Sequence, residues 1–284
     1  MAVTDRWPEL LEAVREDDSL LCPPIKPHTL HKLTFLHRYI DITTTAMVGN
    51  PHWPGGVAYL DLFCGPGIGV TKSGTRVPGS PLIAGMSKKP MSAIVCCDLD
   101  EERAEACKRR LDRLANSKTS SVLHGDSVQL VERLVSKVPT GALTIALIDP
   151  FKLELIQFDV FRTIASRCRA DLIFLFADSM DLNRHYQQYI QPGNRIDRML
   201  GDGEWRSSFD ELDTHAEEVL CGFFRSHLED RLRRELDYQF FGQRAIGTGN
   251  RRYYTLMFAS KSERGFDFWH KACAKDADGQ QELF

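Results

Sequence analysis

Apolar and polar positions change their rhythm along the chain. Five short apolar runs, VAYLDLF (57–63), AIVCCDL (93–99), SVLHGD (121–126), LTIALID (143–149) and DLIFLFA (171–177), are spaced through its middle. Between them, around 80–87, 101–115, 127–137 and 156–167, apolar residues recur at helical spacing. The runs are continuous and do not alternate in and out, as expected of parallel strands covered by helices on both faces. Strands alternating with helices of this length imply right-handed βαβ units.

The flanks follow other patterns. Residues 8–20 have helical period, and CPPIKP (22–27) breaks the chain into an extended segment. HTLHKLTFLHRYIDITTTAM then places Leu30, Leu33, Phe35, Leu36, Tyr39 and Ile40 on one face of an amphipathic helix. Residues 183–234 are mostly helical and rather polar. Two strand-like runs, 237–246 and 252–260, follow around the turn-forming GTGN, which predicts an antiparallel hairpin. A helix over 264–275 closes the pattern. The expected architecture is α/β and Rossmann-like: a mostly parallel seven-stranded sheet with a terminal antiparallel hairpin and helices on both faces. An N-terminal helical segment (1–56) precedes one domain (57–284), which carries a helical insertion at about 183–234.

Composition narrows the class of protein. With 43% hydrophobic and 26% charged residues, the 284-residue chain can build a sizeable core. Its net charge of −3 gives no overall attraction to nucleic acid or to an anionic membrane, although a local basic face remains open. Eight cysteines occur without a CxxC pair, and several lie in apolar runs, which points to a reducing cytoplasm and no structural zinc. No metal site is expected from His28, His31 and His37. The N-terminus lacks a signal-peptide core and no apolar run reaches membrane-span length, so no membrane association is expected.

The candidate chemistry begins at YLDLFCGPGIGVT (59–71). Gly65, Gly67 and Gly69, with Phe63 and Pro66 among them, follow a strand end, where a loop without side chains lets a ligand approach the backbone. The alternative is a tight strand-to-helix turn. Asp61 lies in the strand end, where a carboxylate needs a partner, and a ligand ammonium would supply one. Asp98, followed by Leu99, ends the next strand, where an acid can accept both hydroxyls of a ribose. Asp100 reads instead as a helix N-cap. In HGDS, Asp126 and Ser127 end the third strand near the expected position of an adenine.

Nicotinamide and S-adenosyl-L-methionine sites share these features. In a dinucleotide site the helix begins inside the glycine motif and holds the pyrophosphate. Here VTKSGTRVPG intervenes, and the helix is predicted to start at Ser80–Pro81. That detour and the terminal hairpin favour S-adenosyl-L-methionine as cofactor.

LIDPF closes the fourth strand with Asp149, Pro150 and Phe151. Methyl transfer needs an oriented nucleophile, so Asp149 is expected to accept a hydrogen bond from the acceptor. Pro150 would fix the turn and Phe151 stack on a planar base. The alternative is an aspartate that merely caps the next turn. The motif echoes the D-P-P-[YF] of amino-methylating DNA enzymes without its second proline. A nucleic-acid base or another planar amine is therefore the expected acceptor, and cysteine-based C5 methylation is not. Arg184, His185, Tyr186 and Tyr189 open the insertion as an expected acceptor or partner face, with Ser80 and Pro81 beside the loop. Tyr186, Tyr189, Phe223 and Phe224 could instead pack the insertion onto the core. Arg231, Arg233 and Arg234 read as a solvated face.

In this order HTLHKLTFLHRYI, YLDLFCGPG, GSPLIA, DLD, HGDS, LIDPF, GDGEW and RRYYTLMFASKSERGFDFWHKA resemble the three-Cys-motif partner proteins over about residues 26–275. These are bacterial proteins with a class I methyltransferase-like fold. The resemblance implies a three-Cys-motif protein, radical-S-adenosylmethionine-like, as partner. It leaves open whether the chain methylates an acceptor or is a catalytically silent docking partner.

Overall fold

The computed structural model describes residues 5–114, 120–177, 181–193, 195–201, 203–212, 217–248 and 251–275. Two helices, α1 (Trp7–Ala13) and α2 (Pro27–Met47), precede the first strand, β1 (Val57–Asp61). Next come β2 (Ile68–Val70), β3 (Arg76–Pro78), α3 (Ser80–Gly85), β4 (Ala93–Asp98), α4 (Glu101–Asp112), β5 (Ser120–His124), α5 (Ser127–Val135) and β6 (Leu143–Ile148). A 3₁₀ turn at Leu153–Leu155, α6 (Phe158–Arg167) and β7 (Arg169–Phe176) complete the parallel part. The insertion contains α7 (Asn183–Tyr189), α8 (Arg195–Leu200), α9 (Trp205–Asp210) and α10 (Glu217–Leu236). Strands β8 (Phe240–Thr248) and β9 (Arg251–Ser260) and helix α11 (Glu263–Cys273) follow.

The main sheet has seven strands in the order β5-β4-β1-β6-β7-β9-β8. Its first five are parallel, and β9 runs antiparallel between β7 and β8. Every residue of β1 and β6 is buried, which is why both read as unbroken apolar runs. The C-terminal ends of the parallel strands make one edge, and the start of β9 reaches it through the pairing Phe176↔Thr255. The expected seven-stranded architecture and terminal hairpin are present.

Two features depart from expectation. The GVTKSGTRVP detour is a small separate ladder, β2 pairing antiparallel with β3. Helix α2 is buried well beyond one face, with His37, Arg38, Asp41, Thr43 and Thr44 inside as well. Neighbouring segments meet two of them: Arg6 donates to Asp41 at 3.2 Å, and Arg38 donates to the Lys275 carbonyl at 2.8 Å. On the sheet side the Tyr39 hydroxyl donates to buried Asp171 at 2.6 Å, and its ring meets Phe258 at 5.3 Å.

The insertion is held by an aromatic cluster. Phe224, fully buried, has ring centroids 5.0 Å from Trp205 and 5.7 Å from Phe209, and Phe223 lies 5.7 Å from Phe209. These phenylalanines pack the added helices. Arg231 is a correction to the solvated-face reading. It is buried, donates to the Leu200 carbonyl at 3.0 Å, and lies 4.5 Å from the Phe158 ring centre.

Candidate functional site

The glycine loop leaves β1 and turns back under left-handed backbone angles, with φ of +60° at Gly65 and +86° at Gly67. The two glycines do different work. A Cβ at Gly65 would point into open space, whereas one at Gly67 would meet Leu82 at 3.5 Å and Cys107 at 3.7 Å. Gly65 therefore faces outward, while Gly67 lies against α3 and α4 at ordinary contact distance and is required by its left-handed φ. Gly69 corrects the expectation of a ligand-facing position. A Cβ there would lie 2.3 Å from the Ile25 side chain, so this glycine admits the N-terminal segment. That segment is stitched to β2 by Ile25 N–H donating to the Val70 carbonyl and Val70 N–H to that of Pro23, both at 2.9 Å.

Asp61 is a second correction. It is fully buried beneath the loop and already provided with partners. Its Oδ2 accepts from the Ser80 hydroxyl at 2.6 Å and the Tyr59 hydroxyl at 3.0 Å, and its Oδ1 accepts from Phe63 N–H at 3.1 Å. Burial pushes its carboxyl up to about 7. Asp61 thus braces the loop from inside and has no surface to offer an ammonium group. Ser80 and Pro81 are buried with it and form no acceptor or partner face. Gly79 is the N-cap of α3, with Ser80 and Pro81 as its first helical residues.

Asp98 does stand at the edge. Its Oδ2 accepts from Gly65 N–H at 2.8 Å and its Oδ1 from Asp100 N–H at 2.9 Å, so one carboxylate ties the end of β4 to the open glycine. Each oxygen keeps a further lone pair for a hydroxyl. Leu99, 70% exposed, follows it as an apolar platform. Asp100 caps α4 by accepting from Arg103 N–H, as expected. Exposed Asp126 caps α5 through Val128 N–H at 2.9 Å, while Ser127 is buried.

A clamp behind the loop has no counterpart in the sequence reading. Arg110 of α4, 3% exposed, grips Asp18 with Nε at 2.6 Å and Nη2 at 2.8 Å, and donates through Nη1 to the carbonyls of Leu21 at 2.9 Å and Pro66 at 2.6 Å. The guanidinium beside Asp18 holds its carboxyl well below the usual range. Pro66 is thus anchored by its carbonyl and turned inward.

On the other half of the edge, Asp149 ends β6 and pairs with Lys32 of α2. Both side chains keep some solvent contact, 17% for Asp149 and 12% for Lys32. Pro150 is buried and Phe151 is 70% exposed. The first turn of α2 is seated against β9: the His28 and Tyr253 rings lie 4.6 Å apart, and the Tyr254 hydroxyl donates to the His28 carbonyl at 3.1 Å. Desolvation, aided by Lys26 and Lys32, lowers the pKa of His28.

Asp181, beyond β7, joins the Asp149 loop to the insertion. Its Oδ2 accepts from Leu153 N–H and from the Tyr189 hydroxyl, both at 2.8 Å, and its Oδ1 lies 3.1 Å from Nδ1 of His185. Arg184 is exposed on α7 at this edge, and the Tyr186 side chain lies outside the described residues. Tyr189, expected as acceptor surface or packing, is buried packing.

No family model matches the chain, and no curated protein matches it by sequence. Solved structures do. Protein LPL1258 of Legionella pneumophila aligns over 86% of this chain and 90% of its own, with TM-score 0.51 and 11% identity. The cofactor-bound Rv0187 from MTB aligns over 92% of each chain with TM-score 0.46 and 12% identity. An O-methyltransferase from Bacillus cereus in complex with SAH aligns over 91% of each with TM-score 0.46 and 11% identity. At such identities the likeness concerns the fold. With the strand order above, the fold is the Rossmann-like class I methyltransferase fold.

Proposed function

We propose that the protein binds S-adenosyl-L-methionine along the C-terminal edge of the sheet and transfers its methyl group to a planar amine, such as a nucleic-acid base, held at Asp149 and Phe151. The observation that carries this reading is Gly65: it faces open space while its amide is fixed by the ribose-competent carboxylate of Asp98. Leu99 offers an apolar surface for the adenine and Asp126 an acceptor for its amino group. When bound, the cofactor would supply an electrophilic sulfonium methyl that passes in line from sulfur to the acceptor nitrogen, the thioether leaving with the S–C electron pair and the nitrogen's proton passing to Asp149 or water. Asp149 accepts a hydrogen bond from the acceptor N–H and so aims the nitrogen lone pair. Phe151 fixes the plane of the acceptor by stacking.

Calorimetric titration with S-adenosylmethionine and with its demethylated product tests the reading, with NAD as the control. Binding of the first two and not of NAD is expected; binding of NAD alone overturns it. One observation favours a second reading. Lys32 already occupies Asp149, as it could in a catalytically silent chain that docks a three-Cys-motif protein. Cofactor binding without transfer to RNA, DNA or protein extracts, together with capture of that partner, would favour this alternative.

A further inference from the structure

Lys32 comes from 117 residues before Asp149 in sequence, and its pairing places a donor and an acceptor side by side at the end of β6. A simple amine or phenol has a single polar atom, which would have to meet both groups at once and still keep a lone pair for the methyl group. The Watson–Crick edge of adenine or cytosine uses both, since its exocyclic N–H can donate to the carboxylate while the adjoining ring nitrogen accepts from the ammonium. That edge is hidden in a duplex. Phe151, 70% exposed beside the pair, offers the face on which an unstacked base would lie.

Charge is also divided along the edge. The cofactor half carries Asp98, Asp100, Glu101, Glu102 and Asp126, all with solvent contact. The acceptor half carries exposed Lys26 on the approach to α2, Lys152 at 48% exposure next to Phe151 and 3.7 Å from the Glu154 carboxylate, and exposed Arg184 on α7. Against this, exposed Arg103 stands among the acids of the first half, so the basic residues around Phe151 give a polyanion a local foothold and not a uniform field, within a net charge of −3.

We propose that the acceptor is the amino-bearing edge of an unpaired adenine or cytosine in a single-stranded polynucleotide, with Lys32 as the residue that reads the ring nitrogen beside Asp149. This rests on the methyltransferase reading and adds its substrate class. His28, in the first turn of α2, seats that end of the helix against Tyr253 with rings 4.6 Å apart, and so fixes the helix that carries Lys32.

Fluorescence anisotropy with labelled twelve-nucleotide oligo(A), in RNA and DNA forms and with the demethylated cofactor present, tests the proposal. Binding is expected to weaken about tenfold between 50 and 200 mM salt, as for contacts to two or three phosphates. Phe151→Ala and Lys32→Met should each weaken it about tenfold or more, and Lys32→Arg should restore most of the loss. In the wild type, an oligonucleotide bearing N6,N6-dimethyladenine, which has no N–H to donate, should lose a similar factor. The RNA and DNA arms report which sugar the site accepts. Absence of binding in both forms overturns the proposal, as does wild-type binding by both Lys32→Met and Phe151→Ala. Should Lys32→Met fail to fold, Phe151→Ala decides, because its exposed ring supports no core. Cofactor titration of the same preparations reports separately on the methyltransferase reading.

Discussion

Gly65 N–H and Asp98 Oδ2 are 2.8 Å apart, so the residue with open space above it and the carboxylate beside that space form one unit. Substituting either perturbs the same site by a different route.

Gly65→Ala puts a methyl group into that space and forces a left-handed angle on a residue that resists it, costing about 1–2 kcal/mol of stability. Cofactor affinity should fall more than this strain alone explains, by about tenfold or more. Asp98→Ala should lower affinity about ten- to a hundredfold, through lost hydroxyl contacts and a released loop. Calorimetry checks both. Wild-type affinity in Gly65→Ala would place the ligand elsewhere.

The raised pKa of Asp61 makes a prediction about pH. Its carboxyl titrates near 7 in the native chain, against about 3.9 when unfolded. Between those values the native state holds a proton that the unfolded state has lost, so stability declines as pH rises through that window. Asp61→Asn removes the titration. Urea unfolding from pH 5 to pH 8 should show a shallower decline in the variant, with its deficit at pH 5 shrinking or reversing by pH 8. Parallel curves would contradict the assignment.

Asp18 behaves in the opposite sense. Its native pKa is depressed, so its stabilising effect is complete above about pH 4 and fades as pH falls through the native value. Asp18→Ala leaves the buried Arg110 guanidinium with carbonyl partners only, which should cost about 3 kcal/mol at pH 7 and loosen the Pro66 turn. Denaturant unfolding measures the first effect and cofactor titration the second. A loss below about 0.5 kcal/mol would mean that the clamp is incidental.

Asp181→Ala strips Leu153 N–H and the Tyr189 hydroxyl of their acceptor and should destabilise the fold by about 2–4 kcal/mol. The damage should stay on the acceptor half. Oligonucleotide binding should weaken while cofactor affinity remains within about threefold, on additivity of distant sites. A variant with both affinities equally reduced would show that the two halves are not independent.

The sheet was legible because strands buried on both faces must be apolar throughout, so the runs around β1, β4, β6 and β7 stand out from their helices, while edge strand β5, only partly buried, was marked mainly by the HGDS that ends it. β2 and β3 were not, being three residues each in a polar stretch and paired only with one another among the described strands. In the site, the placement of Asp98 and Asp149 at the ends of β4 and β6 was readable. Lys32 and Arg110 were not, because each acts on a partner distant in sequence that only the folded chain brings near. Gly69 misled for a simpler reason. A glycine that admits a ligand and one that admits Ile25 look alike until the neighbour is visible.

The clamp on Asp18 also bears on how the chain is made. Arg110 lies 92 residues downstream of Asp18, and Arg76, which also binds it, 58 residues downstream. The ribosome extends a chain from its N-terminus at about 5–20 residues per second, so this segment emerges on the order of ten seconds before its last partner exists. During synthesis Pro23, Pro24 and Ile25 wait without the ladder they later join. The segment around Asp18 therefore waits for partners made long after it, and the floor of the glycine loop is completed only after α4 has left the ribosome.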